Sequence, residues 1–248
     1  MQLQKNRLTA VKPLIGFLLV MQPCACAWAA EAVGSVTHLQ GTLSVQHADG
    51  SQALLALQSA VLEKDVLSTE ANTYARIKFA DNSETVLRPQ STLNVENFNY
   101  PENQPENGNI LLKLVKGGLR KVTGLIGKAA PEKDLMVTPV ATIGIRGTNY
   151  GLLFCQADCN KIPTVTGEVL HDGLHIDVAD GEIAVKNPAG DIGVVSGQFA
   201  FVQDMNFNPQ VVPAQQGVQI TIPPAFLHNS SNGKTLDVNH SNGQCTIQ

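Results

Sequence analysis

Aromatic residues make up only 5% of this 248-residue chain, and its single tryptophan, Trp28, lies close to the N-terminus. That scarcity disfavours glycan recognition on exposed ring platforms. Long helical periodicity is absent, which excludes a helical bundle. Positive charge is also short: 17 Lys and Arg against 21 Asp and Glu give a net charge of -4. General nucleic-acid binding wants the opposite balance, so no nucleic-acid partner is expected. Catalytic signatures are missing too. No Gly-x-Ser-x-Gly elbow occurs. Gly127-Lys128 resembles the end of a phosphate-binding loop, but position 122 is Val and position 129 is Ala. His171 and His175 are four apart, yet Asp172-Gly173 between them reads as a turn, so no helix aligns the two rings for a metal. The expectation is a chain that is not an enzyme, with no catalytic residue, no metal site and no cofactor.

What is present begins with the N-terminus. Lys5, Arg7 and Lys12 precede an apolar run from Leu14 to Met21, and Ala27-Trp28-Ala29 supplies small residues at the positions a signal peptidase reads. The run is shorter than the roughly 20 residues a spanning helix needs. Residues 1–29 are therefore expected to be a cleaved signal peptide, with a periplasmic or secreted mature chain and no later transmembrane segment. Loss of the leader leaves 14 basic residues against 21 acidic.

Period-2 alternation dominates the rest: Leu43 and Val45; Ile77 and Phe79; Ile110, Leu112 and Leu114; Ala141, Ile143 and Ile145; Leu174, Ile176 and Val178. Turn pairs such as Asp49-Gly50, Asp81-Asn82, Asp172-Gly173 and Ala189-Gly190 separate the runs. Short alternating strands with such punctuation predict an all-β fold of antiparallel or rolled strands, solenoid-like or sandwich-like. Gly41–Gly50 aligns without gaps on Gly181–Gly190 with three identities, an echo expected of stacked β units or of hairpins in general. The β domain is expected over residues 30–205. Residues 206–248, rich in Pro, Gln, Asn and Ser, read as a loose C-terminal extension with one edge strand within 211–222.

Three features are candidates for a role. Cys155 and Cys159 flank a short Gln-Ala-Asp segment, and in an oxidising compartment they are expected to form a disulfide; Cys245 is left over. Residues 113–133 hold six of the 14 remaining basic residues and only Glu132 among the acids. Lys116, Arg120, Lys121 and Lys128 could form a contact surface for an anionic polymer, a lipid headgroup or an acidic partner; a solvated rim is the other reading. Finally, Thr138–Tyr150 is an apolar strand containing Gly144, Arg146, Gly147 and Thr148. A lone Arg there is expected to be buried and to satisfy carbonyls or a carboxylate, with ligand contact as the alternative.

Lys116–Gly127, Thr138–Thr148 and the Cys155/Cys159 pair together resemble the FecR-domain family, with Gly41-x-Leu-x-Val45, Asp65–Thr69, Ala75–Asp81 and Leu87–Pro89 extending the likeness over about residues 33–202. The resemblance implies an all-β periplasmic domain with no catalytic residues to transfer. The family's namesake relays a receptor's state to a sigma factor through a cytoplasmic segment, and only 13 residues precede the apolar run here. The function expected is therefore non-enzymatic: binding of another envelope component, protein or polymer. A carbohydrate-binding or adhesive module is the alternative.

Overall fold

The structure, a computed structural model, describes residues 31–159, 162 and 169–226. The expected leader, its cleavage point and Cys245 lie outside them. The alternating runs form strands throughout: β1 (Ala32–Gln40), β2 (Leu43–Gln46), β3 (Gln52–Leu55), β4 (Ala60–Leu62), β5 (Val66–Thr69), β6 (Tyr74–Phe79), β7 (Glu84–Leu87), β8 (Thr92–Asn99) and β9 (Asn109–Val122). A short helix, α1 (Leu125–Ala129), then leads to β10 (Asp134–Val137), β11 (Thr142–Cys155), β12 (Gly173–Asn187), β13 (Gly190–Val195), β14 (Phe199–Val202) and β15 (Gln210–Val212). The chain is all-β, as the alternation predicts. Among the described residues no helix is long and apolar enough to cross a membrane.

All fifteen strands of the described residues belong to one sheet that folds back on itself. The pairings divide it into two layers. The upper layer runs β4-β1-β6-β7, the second half of β9, the second half of β11, the first half of β12, β14 and β15. The lower layer runs β3-β2-β5-β8, the first half of β9, β10, the first half of β11, the second half of β12 and β13. Strands β9, β11 and β12 thus serve in both. One core joins inward-facing side chains of the two, from Ile77, Leu119, Leu152 and Ile176 above to Leu67, Leu112, Ile143 and Val185 below.

The crossing from layer to layer needs a sharp change of direction, and glycine supplies it. Gly147 in β11 and Gly181 in β12 both have positive φ, and the β11–β12 register shifts beside them. A side chain at Gly181 would lie 2.7 Å from the Gly147 carbonyl oxygen, whereas Gly147 has open space beside it and is held to glycine by its positive φ alone. The echo in the sequence has a structural counterpart here. Gly41 and Gly181 each have positive φ, and each opens a lower-layer hairpin, β2–β3 at one end and β12–β13 at the other.

The stretch expected to be a loose extension is packed as far as it is described. β15 is the expected edge strand, ending at Val212. Beyond it, Val218 and Ile220 are buried with Leu153, Cys155, Cys159 and Leu170, and Ile222 and Phe226 with Val86 and Val122. Residues 217–226 therefore form a strap across the outer face of the upper layer. Apolar residues at 218, 220 and 222 repeat with period 2, a strand-like signal that the surrounding Pro and Gln obscure.

Candidate functional site

The four candidate basic residues do not share one surface: Lys116 and Lys128 are exposed, and Arg120 and Lys121 are not. Arg120 and Lys121 are both fully buried. On β9 they point to opposite sides of the upper layer. Arg120 faces outward under the strap: its Nε donates to the Ile220 carbonyl at 3.0 Å, Nη1 to Asn149 at 2.8 Å, and Nη2 to Asp177. Asp177 also accepts from the Ile220 amide at 3.0 Å, so arginine and aspartate together bind both backbone groups of one strap residue. Burial lowers the Arg120 pKa from its ordinary value, opposed by Asp177. Lys121 faces the core, with Nζ 2.6 Å from each Asp134 carboxylate oxygen. Lys116 is half exposed, with Nζ 3.7 Å from Asp158, and Lys128 is exposed. Alternation within β9 puts Arg120 and Lys121 on opposite faces, and Lys128 lies beyond the strand on α1.

The Thr138–Thr148 motif divides likewise. Thr138 closes the turn into β11: its Oγ1 donates to the Ala141 carbonyl at 2.9 Å and accepts from the Ala141 amide at 3.1 Å. Thr148 is buried against Thr123, whose Oγ1 accepts from the Thr148 amide at 3.0 Å. Ile143 and Ile145 enter the core. That leaves Gly144 and Arg146 on the outer face of the lower layer. Arg146 is not buried as expected: its side chain is 65% exposed, and its nearest acid, Glu182, lies 3.9 Å away. The same alternation that turns Ile145 inward turns Arg146 out.

Register builds a trough around these two residues. Leu135, Gly144, Ala184 and Gly193 lie in one row across β10, β11, β12 and β13. Arg146, Glu182 and Val195 form the row on one side; Thr142, Lys186 and Asp191 form the row on the other. The floor is thus nearly free of side chains, and each wall carries a cation and an acid. Between β10 and β12 the depression measures about 510 Å³, and Pro131 and Glu132 also line it. Adjacent strands are about 4.8 Å apart and each wall stands two residues from the floor, so the width suits one extended chain. Neither glycine is demanded by the fold. A methyl group at Gly144 would touch only Leu135, at 3.9 Å, and one at Gly193 only Glu182, at 3.3 Å, and neither has positive φ. Leu135, Ala184, Lys186 and Gly193 are not singled out by the sequence, because only strand register places them beside the motif.

Cys155 and Cys159 are joined, closing a ring at the end of β11. The two histidines do not converge: His175 Nε2 lies 2.9 Å from the carbonyl oxygen of His171, not from its ring. Among the described residues no group of three or more His, Cys, Asp or Glu could hold a metal ion.

A two-layer all-β domain with three shared strands, carrying this motif on its lower face, is the class the geometry defines. The family model described as FecR protein matches residues 65–170, from β5 to the residues beyond the disulfide. The match is narrower than the span of about 33–202 over which the sequence resembles the family. Among solved structures, a proposed anti-sigma factor from Parabacteroides distasonis is similar at 12% identity, TM-score 0.46, covering 62% of this chain and 61% of that one. A second structure of it gives 13%, TM-score 0.43 and the same coverage. A cell surface anchoring domain is similar at 25% identity, TM-score 0.25, over 25% of this chain and 83% of that one. This chain thus spans under two thirds of the length of the anti-sigma factor chains. No curated protein matches it. The assignment rests on the family match.

Proposed function

We propose that the chain is an exported, non-catalytic FecR-domain protein that binds another cell-envelope component through the trough on its lower layer. The observation that carries this reading is the bare floor. Glycine inside a strand costs roughly 0.5–1 kcal/mol relative to Ala, and at Gly144 the fold offers no offsetting need for it. An unexplained loss of stability is best accounted for by what the missing side chain admits: a chain lying across the strands, contacted by Arg146 and Glu182 on one side and by Thr142 and Lys186 on the other. Mixed charge on both walls favours a polar, near-neutral extended segment. Gly144→Val should keep or raise Tm and abolish cross-linking to the partner in envelope fractions. Undiminished cross-linking would remove the trough from the contact.

The glycan alternative has one observation in its favour. Tyr100 stands half exposed beside Asn97, Asn99 and Glu63 around a depression of about 560 Å³, away from the trough. Co-sedimentation with purified envelope polysaccharide that is lost in Tyr100→Ala and kept in Gly144→Val would favour that reading instead.

A further inference from the structure

The interior contact between Lys121 and Asp134 serves no surface and is poorly explained as a salt bridge. Both side chains are completely excluded from solvent. Each is the other's hydrogen-bonding partner, through both carboxylate oxygens at 2.6 Å, and among the described residues no further acceptor meets the ammonium. A buried ion pair with so little further support does not repay its desolvation. Neutralising it by moving one proton from amine to carboxylate leaves a free amine against a carboxylic acid, and burial does raise the Asp134 pKa, with Lys121 opposing.

The surroundings add the remaining parts. Lys121 lies between Thr85 and Tyr150 in the cross-strand row, and the Tyr150 hydroxyl and Thr85 Oγ1 are buried without a hydrogen-bond partner. A second carboxyl, Asp81, is fully buried and leaves Oδ2 unpartnered, while its Oδ1 accepts from Ser83. Two glycines seat the two acids. A side chain at Gly124 would lie 2.3 Å from Asp81 Oδ2, and one at Gly127 would lie 2.7 Å from Asp134 Oδ2. Gly124 caps α1 and Gly127 lies inside it, so both carboxyls lie against the same short helix, and Asp81 is near enough to add to the rise in the Asp134 pKa. An amine, an acid it can attack, and a second carboxyl able to carry a proton are therefore enclosed together where water cannot reverse the reaction.

We propose that Lys121 and Asp134 join spontaneously in the folded protein through an amide bond between Nζ and Cγ. The Nζ lone pair attacks Cγ of the protonated carboxyl. Asp81 takes the proton released from nitrogen and returns it to a hydroxyl of the tetrahedral carbon. The C–O bond breaks, one water leaves, and no oxidant or other reactant is required. Contact distance and fixed orientation supply what is costly for such a condensation in solution. The product ties the second half of β9, in the upper layer, to the start of β10 in the lower one. It also closes covalently around α1.

The test is a mass measurement on the full chain recovered after export. With the disulfide reduced, the protein should be lighter than its processed sequence by one water molecule, and peptide mapping should yield a branched peptide linking Lys121 to Asp134, with no tryptic cut after Lys121. Full mass and two separate peptides would overturn the proposal. Asp81→Asn leaves both reacting residues in place; it should fold yet appear at full mass. A branched peptide in that variant would take the proton-carrying role away from Asp81. If the variant fails to fold, the map of the unaltered protein still decides the bond.

Discussion

The outer faces of the two layers are built on opposite plans. The upper face places arginine and aspartate on its strands and then covers them with ten residues of the chain's own C-terminal region. The lower face removes side chains from its centre, and no described segment covers it. The first spends polar groups on holding a segment of backbone; the second leaves an opening bounded by polar groups. Charge in this protein therefore marks structure where it is hidden and candidate contact where it is bare, and residue type alone does not tell the two apart.

The contrast is sharpest at two arginines. Arg120→Ala would leave Asp177, Asn149 and the Ile220 carbonyl without their shared donor. Removing one partner of a buried pair costs about 3–5 kcal/mol, and for a domain of this size that lowers Tm by roughly 10 °C. Calorimetry would check it, and a fall of a degree or two would mean that the strap contributes little to holding the upper face. Opening the ring with Cys155→Ser should cost less, about 2 kcal/mol for so short a loop, readable as a parallel Tm loss on reduction of the unaltered protein. Arg146→Ala, by contrast, should change stability by no more than about 0.5 kcal/mol, since its one acid is distant and solvent screens the pair. A large destabilisation there would collapse the distinction between the faces. Gly144→Ala is the smallest and carries the opposite sign: a gain of up to about 1 kcal/mol from a less flexible unfolded chain. Loss of stability would show that the glycine answers a need of the fold.

Alternation made the strands legible, from Leu43 and Val45 to Ile176 and Val178, and with them the all-β class. It also held information that the basic segment concealed. Applied residue by residue, period 2 places Leu119 and Lys121 on one side and Arg120 on the other, and places Arg146 opposite Ile145. What alternation does not contain is the partner of each face. Nothing in the sequence near Arg120 indicates that Ile220, a hundred residues later, lies over it. Nor does anything near Gly144 indicate that Ala184 and Gly193 continue its row. Both depend on register between distant strands, which the whole folded sheet determines.

The strand β11 has a consequence of a mechanical kind. Gly144 lies in the trough on one outer face, while Gly151 packs against Ile220 of the strap on the other, seven residues further along the same strand. Between them the strand bends at Gly147, and its pairing with β12 is interrupted between Arg146 and Asn149. A load applied at the trough along this strand would be met in shear by the lower-layer bonds first and would reach the upper layer only through that bend.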